Sequence, residues 1–304
     1  MVSQSGCGAT ARGEGAAPAV VTAVALSAKL VRPRKLRLSI LRIIQNPSPG
    51  QYWTGLIYDV KLPDSCTQFS KTCILLPTYN ERDNVAPIVR AIFAAVPGVH
   101  IMVIDDNSPD GTADVVRALC GEFGNLRLLS RPRKEGLGKA YLDGFGRVLA
   151  EPGFEALLTM DADFSHDPGY LPAILAQGAT RDIVIGSRYT RGGGVEGWEF
   201  WRRMLSGWAN FYCRAITGMP FGDCTAGYIF MRTEVLRKLR LGGIRMSGYA
   251  FLMELKYTLW RAGASFAEVP IVFRCRRSGE SKISSHIIGE GVLAPWRLRL
   301  RWRR

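Results

Sequence analysis

From Lys71 onward, short apolar runs alternate with longer stretches of helical periodicity, and this alternation restricts the fold more than any other feature of the chain. The runs are TCILLP (72–77), HIMVIDD (100–106), LRLLS (126–130), EALLTMDAD (155–163) and DIVIGS (182–187). Between them lie ERDNVAPIVRAIFAAV, TADVVRALCGEF and GKAYLDGFGRVLA, each with apolar residues at helical spacing. Strand-helix-strand alternation predicts an α/β fold with a mostly parallel sheet covered on both faces. At 304 residues the chain has material for one large α/β domain or two smaller ones, and 47% apolar content argues against global disorder.

Ligands of such sheets gather beyond the C-terminal strand ends, and that is where the polar residues cluster. The first run ends in Pro77-Thr78-Tyr79-Asn80-Glu81, the second in Asp105-Asp106-Asn107-Ser108-Pro109-Asp110-Gly111-Thr112, the fourth in Asp161-Ala162-Asp163. Asp110 before Gly-Thr reads as a turn and helix cap. Three acidic endings on one sheet repel one another unless cations or hydrogen-bond donors compensate. In the D-x-D of Asp161 and Asp163, an extended backbone puts both carboxylates on one side. Both can then reach one hard cation, Mg²⁺ or Mn²⁺, which keeps waters and recruits phosphate oxygens. Ser165 reaches the same shell directly or through water.

The formal net charge of +14 calls for an anionic partner: nucleic acid, anionic lipid or a phosphorylated small molecule. From Arg274 to Arg304, nine Arg or Lys stand against Glu280 and Glu290, a net of +7 and half of the excess. The seven cysteines contain no C-x-x-C pair, which suggests reduced thiols and no structural zinc. No run of about 18 apolar residues occurs, so no transmembrane helix is expected. AAPAVVTAVALSA (16–28) is too short to span and lacks the basic start of a signal peptide. Residues 1–70 show no chemistry and read as a flexible extension or a mis-assigned start. Their basic segment VRPRKLRLSILRII is a solvated tail or a lipid-surface contact.

Eight motifs in order carry a resemblance: PTYNERDNV, VIDDNSPDGT, GLGKAY, MDADFSHDP, DIVIGSRY, GGGVEGW, GYAF-x-x-E and GESK. Over about residues 71–290 the chain resembles the family-2 glycosyltransferases of the GT-A fold and, among them, the dolichol-phosphate (polyprenol-phosphate) mannosyltransferases. The resemblance implies a Rossmann-like three-layer sandwich, with 291–304 as a basic, Trp-containing tail. It implies a nucleotide pocket of Pro77, Tyr79, Glu81, Ile104 and Asp106. Asp161, Ala162 and Asp163 would face the donor diphosphate, with Asp161, Asp163 and Ser165 around Mg²⁺ or Mn²⁺. Arg276 and Lys282 would close over the diphosphate from a mobile loop. Arg188, Arg202 and Ser206 match the acceptor-phosphate site, where a planar guanidinium donates two parallel hydrogen bonds; Arg203 is placed toward solvent. Asp163, Arg188 and Arg202 are then the catalytic candidates.

An acceptor phosphate is already ionised, so Glu254, where relatives carry a catalytic carboxylate, is read as orienting groups rather than taking a proton. Asp223 is structural or near the acceptor. The implied reaction is inverting transfer of mannose from GDP-mannose to a polyprenyl phosphate. It occurs at the cytoplasmic face of a membrane with the enzyme peripherally bound; the sequence neither requires nor excludes an anchoring partner. Trp296 and Trp302 among arginines suit an interfacial segment, and GWEFWRRMLSGWANFYCRAI (197–216) is a second membrane contact or core. Two rivals remain. A nucleic-acid binder lacks any recognised module. The other is a same-fold transferase of UDP-glucose or UDP-GlcNAc, with a lipid-phosphate or sugar-hydroxyl acceptor, because fold does not fix the sugar.

Overall fold

A computed structural model describes residues 69–239, 241–244, 246, 248–274 and 285–301. In chain order the elements are β1 (Thr72–Thr78), α1 (Arg82–Ala95), β2 (His100–Asp105), α2 (Thr112–Glu122), β3 (Leu126–Ser130), α3 (Leu137–Ala150) and β4 (Ala156–Thr159). Then follow α4 (Leu171–Gly178), β5 (Ile183–Ser187), β6 (Gly194–Val195), α5 (Phe200–Thr217), β7 (Ile229–Arg232) and α6 (Thr233–Arg237). The remainder is α7 (Gly248–Arg261), β8 (Phe266–Pro270), β9 (Val272–Phe273) and α8 (Ser285–Arg301).

Seven strands form one sheet in the order β3-β2-β1-β4-β7-β5-β8, and β6 pairs with β9 separately. All sheet pairings are parallel except those of β7, which runs antiparallel between β4 and β5. The expected mostly parallel sheet is therefore present, with one antiparallel insertion that the short run IFMR did not announce.

Period-two alternation divides the core into two layers of packing. Cys73 and Leu75 of β1 join Met102 and Ile104 of β2 under Tyr141 and Phe145 of α3. Ile74 and Leu76 point the other way, with Ile101 and Val103, onto Val85, Ile88 and Val89 of α1. Helix α1 buries Asn84, Val85, Ile88, Val89 and Ile92, a stripe at helical spacing that explains its seating. Helix α3 lies very close to the sheet: a Cβ on Gly144 would stand 2.5 Å from Ile104 Cδ1 and 3.2 Å from Leu75 Cδ1. Only glycine permits that approach. Cys73, Cys120, Cys213 and Cys224 are free thiols.

Candidate active site

The parallel register brings the first two acidic endings together. Pro77 lies opposite Ile104 and Thr78 opposite Asp105. Asn80 and Asn107 both adopt left-handed backbone, turning the chain sharply out of each strand. Three successive N–H groups then cross between the loops: Asn80 N donates to Ser108 Oγ (3.0 Å), Glu81 N to Thr112 Oγ1 (3.0 Å) and Arg82 N to Asp110 Oδ2 (3.1 Å). Asp110 also accepts from Thr112 N (3.0 Å) and Thr112 Oγ1 (2.6 Å). Although burial works to raise its pKa, these donors bring it below the ordinary carboxylate value. Asp110 thus joins two loops besides shaping the start of α2. Asp105 turns inward, accepting from Thr78 Oγ1 (3.1 Å) and Ser108 Oγ (2.6 Å).

The expected nucleotide residues occupy different depths. Pro77, Tyr79 and Glu81 are half-buried at the rim. Glu81 accepts from Asn84 Nδ2 at 2.7 Å, and Lys134 Nζ stands 3.5 Å over the Tyr79 ring. Ile104 is fully buried and packs against the Gly144 position, so it lies in the core. Asp106 is buried too, and its carboxylate forms an ion pair with Arg131. Arg131, 4% exposed, also bonds Glu135 at 3.0 Å and Asp143 at 2.7 Å. That guanidinium holds Asp106 in place, a role the sequence did not reveal because its partner lies 25 residues away.

At the third ending, strand pairing stops at Thr159, and the D-x-D lies in a turn rather than in the extended backbone expected. His166 Nδ1 accepts the N–H of Asp161 at 2.9 Å, and Phe164 is left-handed. Burial pushes the His166 pKa down, in keeping with its Nδ1 acting as an acceptor. The turn separates the two carboxylates in depth: Asp163 is buried, whereas the Asp161 side chain is 34% exposed. Ala162 and Ser165 are buried between and beside them. Asp163 Oδ1 accepts from Ser165 N at 3.0 Å, while Ser165 Oγ has no hydrogen-bond partner among the described residues. A buried hydroxyl beside two carboxylates is a fitting ligand for a hard cation. Among the described residues no three His, Cys, Asp or Glu are grouped so as to hold a metal ion.

The residues expected to bind the acceptor phosphate lie just after β5 and along α5. Arg188 Nε and Nη2 donate to the two oxygens of Asp223 at 2.7 and 2.8 Å, and Nη2 also donates to Thr225 Oγ1 at 2.7 Å. Asp223 is fully buried. Burial alone would raise its pKa, but the Arg188 guanidinium overrides it and takes the carboxyl down to about 2. Of the two roles left open for Asp223, holding Arg188 is the one its contacts display.

The 222–226 loop is itself pinned from three elements. Glu268 of β8 accepts from Gly222 N (2.9 Å) and Asp223 N (3.2 Å). Asn210 Oδ1 of α5 accepts from Cys224 N (2.8 Å). Lys256 of α7 donates to the carbonyls of Asp223 (3.2 Å) and Ala226 (2.8 Å). Lys256 is fully buried, and burial lowers its pKa to about 8. A lysine inside FLMELKYTLW was the available signal for it.

Trp198 gathers the two arginines: Arg202 Cζ lies 4.4 Å and Arg188 Cζ 5.8 Å from its ring centre. Arg202 and Ser206 are half-buried and fall on one stripe of α5 with buried Asn210 and Cys213; Arg203 is exposed. The opposite stripe is bare apolar surface: Phe200 is 77% exposed, and Trp201, Met204, Leu205, Trp208 and Phe211 are exposed with it. The aromatics of this segment are not core.

Glu254 accepts from Met246 N (2.9 Å) and from Arg301 Nη1 of α8 (2.6 Å). Lys256, two residues on and so on the far side of α7, is the one that meets the 222–226 loop. Arg276, Lys282 and Trp302 lie outside the described residues.

The geometry can now be set beside known proteins. The glycosyl transferase family 2 model matches residues 73–240. Undecaprenyl-phosphate mannosyltransferase of Micrococcus luteus is 40% identical over 230 residues, which is 75% of this chain and 94% of that protein. Polyprenol monophosphomannose synthase of Mycolicibacterium smegmatis is 41% identical over 255 residues, 83% of this chain and 95% of that one. Among solved structures, glucosyl-3-phosphoglycerate synthase from Mycobacterium tuberculosis, in complex with Mn²⁺, UDP and phosphoglyceric acid, superposes with a TM-score of 0.55 at 19% identity. The likeness covers 75% of this chain and 78% of that one, and it concerns the fold. The sheet order and the family match together place the chain among the glycosyltransferases of the GT-A, Rossmann-like fold. The chain belongs to glycosyl transferase family 2.

Proposed function

We propose that this enzyme transfers mannose from GDP-mannose to a polyprenyl phosphate, with inversion, at the cytoplasmic face of a membrane to which it binds peripherally. The names of the two bacterial relatives support the sugar and the acceptor. One observation in this chain carries the acceptor class: a single helix, α5, presents Arg202 and Ser206 on its inner stripe and bare aromatic surface on its outer one. A phosphate attached to a long apolar chain needs both. Among the described residues no helix is long and apolar enough to cross a membrane, so the apolar surface of α5 is a face and not a span.

In this reading the nucleotide rests on Pro77, Tyr79 and Glu81, with Asp106 held beneath by Arg131. Asp161, Asp163 and Ser165 would hold Mg²⁺ or Mn²⁺, which would supply Lewis-acid stabilisation of the departing diphosphate. Arg188, oriented by Asp223, and Arg202 bind the acceptor phosphate with Ser206. The phosphate oxygen attacks the anomeric carbon opposite the leaving GDP. The new C–O bond forms as the bond to the β-phosphate oxygen breaks, and a β-linked polyprenyl phosphate mannose results. A phosphate acceptor is ionised near neutrality and needs no base, consistent with Glu254 being engaged by Arg301. Purified protein, Mn²⁺ or Mg²⁺, polyprenyl phosphate and labelled GDP-mannose should yield a labelled lipid. Labelled UDP-glucose and UDP-GlcNAc run in parallel; preferential transfer from either overturns the donor assignment.

A further inference from the structure

Strand β9 lies outside the main sheet, yet it and its flanking residues exchange hydrogen bonds with both halves of the site. On the donor half, the turn that follows the D-x-D is tied to it. Val272 N donates to Tyr170 OH (3.1 Å), Arg274 N to the Ser165 carbonyl (3.4 Å) and Arg274 Nη1 to Asp167 Oδ2 (3.0 Å). On the acceptor half, Ile271 N donates to the carbonyl of Ser187 (3.0 Å), the residue before Arg188. Gly194 N and Glu196 N, in the segment leading to Trp198 and α5, donate to the carbonyls of Ile271 (3.0 Å) and Phe273 (2.9 Å). Arg274 Nε reaches the Glu196 carboxylate at 3.3 Å.

The side chain of Phe273 repeats this double attachment. Its ring centre lies 5.6 Å from that of His166, the planes at 79°, and 5.6 Å from that of Trp198, the planes at 71°. Arg188 Cζ stands 5.4 Å from the same centre. His166 accepts the Asp161 N–H, and Trp198 carries Arg202 over its ring. One phenyl group therefore meets the residue that bends the D-x-D turn and the groups that hold both acceptor arginines. Phe273 is half-buried and joins neither of the two core layers, so general packing does not account for its place.

We propose that Phe273 is a positioning residue for the transfer: its ring, carried on the β9 brace, sets the spacing between the D-x-D turn and the arginines that receive the acceptor phosphate. Each half has its own support without the ring. His166 holds Asp161, Asp223 holds Arg188, and Trp198 holds Arg202. What the ring adds is the relation between the halves, and with it the approach of the acceptor oxygen to the anomeric carbon. Reacting atoms must stand about 3–3.5 Å apart, and a misplacement of about 1 Å can cost about a hundredfold in rate. Loss of the ring should therefore act on kcat and spare both binding sites. The inference deepens the reading of this site as one that joins a diphosphate donor to a phosphate acceptor, and rests on it for the kinetic consequence; the physical link between the two halves stands alone.

The test uses full-length protein with Mn²⁺, GDP-mannose and a short, water-soluble prenyl phosphate. Phe273→Leu removes the ring and keeps an apolar side chain, and its melting temperature should stay within about 4 °C of wild type. Its affinities for GDP and for the prenyl phosphate, by calorimetry, should stay within about threefold of wild type, while kcat falls about tenfold or more. Phe273→Tyr, which restores a ring, should recover most of that loss. Arg274→Gln cuts the same brace at a side chain 36% exposed, and should lower kcat about threefold; it decides the matter if Phe273→Leu does not fold. A second readout needs no turnover. Saturating Mn²⁺ with GDP or UDP, whichever binds, should slow amide hydrogen exchange at 194–198 in wild type and not in Phe273→Leu or, failing that, Arg274→Gln. An unchanged kcat overturns the proposal. So does a loss confined to the acceptor KM, because the ring then only shapes the Arg188 site. A loss that tracks melting temperature and is not relieved by Phe273→Tyr overturns it as well, as does wild-type exchange at 194–198 that ignores the nucleotide. Failure of wild type to transfer mannose refutes the functional reading and leaves the exchange measurement to decide the brace.

Discussion

Replacing Asp223 by alanine strands two buried cations at once. The Arg188 side chain is 9% exposed and loses its two-point ion pair with the carboxylate; Lys256 is fully buried and loses the charge that most favours its protonated form. Removing one partner of a buried pair costs about 3–5 kcal/mol. For a domain of 150–250 residues each kcal/mol shifts the midpoint by about 2–4 °C, so a fall of roughly 6–20 °C is expected. Lys256 tempers the loss, since its pKa, already lowered to about 8 by burial, drops further without Asp223 and lets the group shed its charge near neutrality. Thermal melts should therefore show a smaller deficit at alkaline than at mildly acidic pH. Kinetics of the surviving folded enzyme should show KM for the acceptor rising well above KM for the donor, because Arg188 loses its orientation. Arg188→Met/Asp223→Leu, which removes both charges, should recover stability relative to Asp223→Ala without recovering transfer. A melting temperature for Asp223→Ala within about 2 °C of wild type, with acceptor KM unchanged, would refute the account of this network.

Other perturbations separate other parts of the argument. Gly144→Ala pushes a methyl against Ile104 and Leu75 and should destabilise by about 1–3 kcal/mol in urea unfolding. On the same helix Gly146 has open space, and Gly146→Ala should stabilise by up to about 1 kcal/mol. The folded-state pKa of Lys256, about 8, lies below its ordinary 10.5, so the burial penalty of the charged form is fully present below pH 8 and fades as pH rises toward 10.5. Between about pH 8 and 9.5 wild type should gain about 1.5 kcal/mol relative to Lys256→Met, measured by urea unfolding at both values. Arg202→Ala should cost at least about tenfold in transfer rate, whereas neighbouring Arg203→Ala should leave transfer to a soluble acceptor near wild type.

The strand ends were legible because apolar runs stop abruptly at polar residues, and parallel order predicts which ends meet. That reasoning placed the 77–81 stretch and the D-x-D just beyond their strands from local pattern; singling out Pro77, Tyr79 and Glu81 took the family resemblance. It assumed an extended D-x-D, and the His166 contact to Asp161 N, five residues on, bends it instead. Supporting charges were hidden for a different reason: Lys256 reaches back 33 residues to the Asp223 carbonyl, and Glu268 reaches 46 to Gly222. Nothing local distinguishes such a residue from a solvated one. Helix α5 was ambiguous because both of its stripes carry apolar residues. Asn210 and Cys213, tied to the 222–226 loop, decide which stripe faces in. The antiparallel β7 was missed because four residues, IFMR, carry too little periodicity to assign.

The central claim is that arginines on the inner side of α5 receive a phosphate whose apolar tail lies on the outer side. Transfer from labelled GDP-mannose should be compared for a polyprenyl phosphate, the matching polyprenol and inorganic phosphate, each with wild type and Arg188→Ala/Arg202→Ala. Label should enter only the polyprenyl phosphate, and the double variant should abolish it while GDP-mannose binding persists. Equal labelling of the polyprenol, or undiminished transfer by the double variant, would contradict the account.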